Sequence, residues 1–185
     1  MPTQPILTTD RLILRPFSLS DAGAVQELAG AYEVALNTSI PHPYPDGGAA
    51  LWIGSHQAHF DQGEGVHFAV TRRRGEQLIG AMGLTLAPDH RRAELGYWIG
   101  VPFWGQGFAT EAGRAVVAYG FRELGLLRIM ATHYARNPAS GRVMQKLGMT
   151  REGCLRRHVL RWDEPQDLVL YGILREEWEA RSGVA

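Results

Sequence analysis

Apolar and polar positions alternate along "RLILRPF" (11–17), which predicts a first strand. The period then lengthens, and "SLSDAGAVQELAGAY" (18–32) reads as a helix with Ser20 or Ser18 as its N-cap. Prolines 41, 43 and 45 force a loop, after which Asp46 is placed to start a second helix running to about Phe60. "VHFAVTRR" and "QLIGAMGLTLAP" flank an Arg-rich turn as an antiparallel pair, and "AELGYWIG" is a further strand. Beyond "GQGF" the helical period returns: Val117, Phe121 and Leu124 form a buried stripe, and Gly125 is a stop. "LLRIMATHYA" (126–135) predicts a strand. "NPASGRVMQKLGM" (137–149) predicts a short helix capped by Asn137, with Pro138 in its first turn and Gly148 past its end. Two closing strands, about 151–161 and 167–174, surround the turn "WDEPQD". Antiparallel runs mixed with a strand–helix–strand unit argue for an α/β class with a mixed sheet.

Composition changes this picture little. A chain of 185 residues, 45% hydrophobic and 21% charged, fits a single globular domain, 1–185. Its 19 basic and 19 acidic residues balance, which gives no electrostatic reason to expect nucleic acid or an anionic membrane as a partner. "TRRRGE" (71–76) reads as a solvated turn. Cys154 is the single cysteine, so no internal disulfide forms, and its plainest role is a small apolar residue. No apolar run reaches membrane-spanning length, and a cytoplasmic location is expected. His56 and His59 share a helical spacing but have no third evident ligand, so no metal is expected.

Chemistry concentrates in "YWIGVPFWGQGFATEA" (97–112), where a strand hands over to a helix through two glycines. Glycines let the backbone approach a ligand, and the first helical turn presents unpaired N–H groups to an anion. A P-loop would need Lys and Ser or Thr after its last glycine, and a dinucleotide fingerprint a glycine in place of Thr110; neither is present. Together with "TTDRLILRPF", "IPHPYP", "ELGYWIG", "NPASGRVMQKLGM" and "LYGILREEW", the motif resembles the GNAT superfamily of acetyl-CoA-dependent N-acetyltransferases. Within it the chain looks like the ribosomal-protein N-terminal (Rim-type) branch, in which an aromatic such as Trp104 replaces the consensus Arg or Gln.

The resemblance implies an α/β (α+β) fold with a mixed, mostly antiparallel central sheet, helices on both faces and a splayed strand pair at the cofactor cleft. It implies acetyl-CoA as co-substrate. Its pyrophosphate would lie on the amides of Gly105, Gln106, Gly107, Phe108, Ala109 and Thr110, and its pantetheine along the backbone of Trp98, Ile99 and Val101. Asn137 and Ser140 correspond to family positions near the pantetheine and sulfur. Ser140 is then the candidate proton donor to the departing thiolate; Asn137 equally serves as an N-cap. Glu94, on the same strand face as Trp98, is the candidate base, the alternative being a carboxylate paired with Arg91 or Arg92. His42, Tyr44 and Trp98 would wall the acceptor site, with packing as the alternative for each. The expected acceptor is a protein α-amine, or else a small amine such as a polyamine, amino acid or aminoglycoside. A non-catalytic acyl-CoA-binding module and a monomer or homodimer complete the alternatives.

Overall fold

The computed structural model describes residues 3–183 and contains an 8-stranded sheet in the order β1-β2-β3-β4-β5-β6-β8-β7. The strands are β1 (Leu7–Thr8), β2 (Leu12–Pro16), β3 (Gly65–Arg72), β4 (Leu78–Ala87), β5 (Arg92–Ile99), β6 (Arg128–Tyr134), β7 (Thr150–Arg161) and β8 (Glu164–Leu174). The helices are α1 (Ala22–Ala29), α2 (Tyr32–Leu36), α3 (Gly48–Asp61), α4 (Phe108–Arg122), α5 (Pro138–Lys146) and α6 (Arg175–Ser182). Every neighbouring pair is antiparallel except β5 and β6, which α4 connects as the expected strand–helix–strand unit.

The sheet has a core on each face, so helices cover both sides. Leu95, Ile99, Ala112, Val116, Ile129 and Met144 join β5 and β6 to α4 and α5 on one face. Val25, Ala29, Val34, Ile53 and Trp98 join α1, α2 and α3 to the other. Covered twice, β4 carries the near-continuous apolar run "LIGAMGL" rather than an alternating one.

Several elements differ from the sequence reading. The expected helix over 18–32 is a 3-10 turn (Leu19–Asp21), then α1, a break at Gly30, and α2. A Cβ at Gly30 would lie 2.4 Å from the Gln26 carbonyl oxygen and 3.2 Å from Tyr44, so the chain turns where Tyr44 packs. Ser18 rather than Ser20 opens the 3-10 turn, donating its N–H to the Asp21 carboxylate at 2.9 Å. Asp46 does not cap α3; Gly47, at φ 72°, does. The turn before β8 is also tighter than "WDEPQD": Trp162 and Asp163 alone make it, both at positive φ, and β8 begins at Glu164. The helix α6 was not anticipated; Glu177 caps it by accepting the Leu174 N–H at 2.9 Å.

His56 lies in the core under α3, where its ring meets Trp52 edge-on at 4.3 Å and stacks on His67 at 4.5 Å. Both of its ring nitrogens are buried without partners. Burial, with smaller contributions from the His67 and His59 charges, holds its pKa down to about 3. The folded protein therefore keeps this ring neutral while the unfolded chain takes up a proton below pH 6.5. Stability from this site falls as pH drops below that value, by about 1.4 kcal/mol per unit. We expect His56→Leu to flatten the acid limb, recovering about 2 kcal/mol at pH 5 relative to the wild type, in urea unfolding measured from pH 7.5 to 5.

Candidate active site

Strands β5 and β6 pair only at Arg92 with Arg128, Ala93 with Ile129 and Glu94 with Met130. Beyond Glu94 they part, and a cleft of about 610 Å3 opens between them. Its walls include residues of α2 and the loop after it, on the α1–α3 face of the sheet, and of the loop before α4 and α5, on the other. The splay exposes a row of backbone groups. Gly100 donates its N–H to the Ile79 carbonyl at 2.8 Å, so strand alternation turns the backbone of Trp98 toward β4 as well. The groups of Leu95, Tyr97 and Ile99 face the gap instead. The Ile99 carbonyl already accepts from the Trp104 indole at 2.6 Å, leaving its N–H to the cleft. Trp104, at the position where the superfamily consensus has Arg or Gln, thus braces the glycine loop against β5.

That loop is built to hold an anion. Gly105 lies at φ 74° and Gly107 at φ 81°, conformations that side chains rarely adopt. A Cβ at Gly105 would meet no atom of this chain within 4 Å, so the space before the loop is open to a ligand. Within α4 the first amide with a backbone acceptor is Glu111, bonded to the Gly107 carbonyl. The amides of 105–110 have none among the described residues, and they sit at the positive end of the α4 dipole. Arg11 secures the arrangement, donating to Glu111 at 2.6 Å and to the Gln106 carbonyl at 3.1 Å. It also pairs with the carboxylate of the first helical turn, offsetting a charge that would repel an incoming phosphate. Arg142 and Lys146, one turn apart on α5, line the cleft as well. The donor set fits a pyrophosphate with further phosphate charge.

The candidate acid and base lie at the edges of the splay. Glu94, at the last paired rung, lines the cleft and accepts from the Thr132 hydroxyl at 3.1 Å. Arg91 is turned to the Gly125 carbonyl and Arg92 to Met130, so neither pairs with it. Asn137 caps α5, accepting the Ser140 N–H at 3.3 Å, and both residues line the cleft. The Ser140 hydroxyl lies 2.7 Å from that of Tyr97, whose pKa burial pushes up to about 12. Tyr97 was missed in the sequence, although alternation along "GYWIG" places it on the face opposite Trp98 and hence toward α5. Arg142 and Lys146 were missed as well; their i, i+4 spacing on a capped helix was the available signal.

Other expected positions are not brought to the cleft. Val101 forms a 3-10 turn and packs with the α1–α3 core, because Pro102 ends the strand there. Gln106 contributes only backbone, since its side chain donates to the Pro102 carbonyl at 3.1 Å. His42 bonds the Gly30 carbonyl and leans on Tyr32, and Tyr44 packs against Gly30 and Gly48, so neither is among the residues lining the cleft. Trp98 does line it, though 8% exposed. Just ahead of the "PHPYP" loop, Val34, Asn37, Thr38 and Ser39 do line the cleft.

Comparison with known proteins is consistent with this geometry. Residues 11–150 match the acetyltransferase (GNAT) domain family. The chain is 38% identical over 172 residues to the N-acetyltransferase YoaA of Bacillus subtilis, covering 92% of this chain and 97% of that protein. It is 28% identical over 179 residues to the [ribosomal protein uS5]-alanine N-acetyltransferase of Escherichia coli, with 93% and 92% covered. The crystal structure of a GNAT-family acetyltransferase from Bacillus anthracis superposes with a TM-score of 0.84 at 26% identity, covering 93% of this chain and 99% of that one.

Proposed function

The chain belongs to the GNAT family and is an acetyl-CoA-dependent N-acetyltransferase, and we propose that it acetylates the α-amine of a protein N-terminus, such as that of a ribosomal protein, in a ternary complex. The observation that carries this reading is the charge of the cleft: among the described residues, Glu94 is the only acidic one lining it. A polyamine presents several ammonium groups and calls for several carboxylates, and Asp46, Asp61 and Glu64 all lie away from the lining. One carboxylate suits one amine. The α-amine has a pKa of roughly 7.7–8.0 and needs only a modest base.

Acetyl-CoA, when bound, supplies the acetyl group as a thioester. Glu94 accepts the amine's proton, directly or through one water, as the nitrogen attacks. The free Ile99 N–H, held by β5, polarises the carbonyl whose charge builds up in the transition state. Ser140 then donates to the departing sulfur. The Tyr97 hydroxyl, 2.7 Å from that of Ser140, holds it over the cleft through their hydrogen bond. Tyr97→Phe is therefore expected to lower kcat about tenfold while leaving the KM for acetyl-CoA within about twofold, in steady-state assays.

The acceptor is tested by release of free coenzyme A thiol from acetyl-CoA with the amine varied. The panel holds peptides with free Ala, Ser or Met N-termini, the same peptides blocked, and polyamines and aminoglycosides. Release with free N-termini and none with blocked ones is the expected result. Release with the small amines alone would overturn the α-amine reading.

A further inference from the structure

The wall that segment 34–39 gives the cleft is held by its own backbone. Arg161, at the tip of the β7–β8 hairpin, donates from Nη2 to the carbonyls of Ala35 and Ile40. Arg136 donates to the Leu36 carbonyl, and the Tyr134 hydroxyl to that of Thr38 at 3.4 Å. Between these anchors Asn37, Thr38 and Ser39 line the cleft.

Arg161 is an unusual choice for such an anchor. It is 8% exposed, and its Nε is buried with no partner. The ion pairs among the described residues are Arg11–Glu111, Arg15–Asp21, Arg128–Glu152 and Arg175–Glu179, so no carboxylate offsets its charge. A buried cation without a counter-ion is costly, and an apolar residue would fill the space without that cost. What the guanidinium adds is direction. One group ties the C-terminal turn of α2, where the helix dipole favours a cation, to a carbonyl five residues further on. Its Cζ lies 4.2 Å from the centre of the Trp162 ring, which stacks at 5.5 Å on Tyr32, the first residue of α2. The hairpin tip thus grips both ends of α2. Val159, two residues back on β7 and on the same strand face as Arg161, lines the cleft itself.

We propose that Arg161 is a positioning residue for the acceptor: by holding both ends of segment 35–40 it fixes the wall against which the amine-bearing chain is laid. The proposal rests on the reading of this side of the cleft as the acceptor side. Loss of the clamp should affect capture of the acceptor and spare the cofactor loop before α4, a helix on the other face of the sheet.

The test uses Arg161→Met and Arg161→Lys in the full chain, with whichever amine the wild-type panel identifies; a failure of the α-amine reading shows in that panel before any variant is made. Arg161→Met is expected to raise the acceptor KM about tenfold while kcat and the acetyl-CoA KM stay within about twofold. Arg161→Lys, whose ammonium lacks the guanidinium fork, should fall between the two and serves alone if the Met variant does not fold. Amide hydrogen exchange, which needs no acceptor, should quicken at 37–40 and not at 105–110. An acceptor KM unchanged in both variants, a rise shared equally by acetyl-CoA, or unchanged exchange at 37–40 would each overturn the proposal.

Discussion

Glu94→Gln is expected to lower kcat/KM for a peptide α-amine by about a hundredfold to a thousandfold near neutral pH, the range general bases commonly contribute. The size of the deficit should depend on pH. An α-amine with a pKa of roughly 7.7–8.0 loses its own proton as pH rises, so the variant gains back at most about tenfold between pH 7 and about pH 9 and then levels off. With an acceptor of lysine-like pKa, about 10.4, the amine is still mostly protonated there and the variant's rate goes on rising. The pH profile of this one variant therefore reports both on the base and on the kind of amine. Thr132→Ala, which removes the hydrogen bond at 3.1 Å without touching the carboxylate, should produce a much smaller loss. An undiminished rate in Glu94→Gln at neutral pH would remove the carboxylate from the mechanism.

Gly107→Val is expected to raise the KM for acetyl-CoA about a hundredfold, because it alters the turn that aims the loop amides at the pyrophosphate. The interpretation needs a control for backbone strain, since any side chain at φ 81° costs about 1–2 kcal/mol. Gly47 supplies it. It lies at φ 72°, a Cβ there would meet nothing within 4 Å, and it is not among the residues lining the cleft. Both Val variants should lose similar stability in urea unfolding, while only Gly107→Val loses affinity for acetyl-CoA. Equal affinity in the two variants would show that the glycine serves the fold alone.

The fold was largely legible because its signals are local. Two glycines ahead of an amphipathic helix, Asn137 followed by Pro138, and the all-apolar run of β4 each determine their element within a few residues. Failures came where distant packing decided the outcome. Nothing in "SLSDAGAVQELAGAY" reveals that Tyr44, some fourteen residues beyond Gly30, presses on that glycine and breaks the helix. The same holds for the site. The Gly105–Gly107 loop and the placement of Glu94 and Ser140 at the cleft follow from motif and alternation, and the structure brings all of them to one opening. His42 and Tyr44 were expected there by resemblance, on a loop that prolines stiffen, yet stiffness says nothing of direction: the exposed His42 bonds the Gly30 carbonyl and Tyr44 packs on Gly30 and Gly48. Arg161 carries no sequence signal at all: one arginine among several in "CLRRHVLRW" is distinguished only by the carbonyls it meets.

The alternation of β5 has a consequence for the flow of protons. Glu94 lies on the sheet face shared with Trp98 and the α1–α3 core, while Tyr97 points through the opposite face to Ser140. In the proposed mechanism the carboxylate that gains a proton and the hydroxyl that gives one up are thus on opposite sides of the same strand, each with its own hydrogen-bond partner, Thr132 for Glu94 and Tyr97 for Ser140. A substitution at one of them then leaves the partner of the other in place.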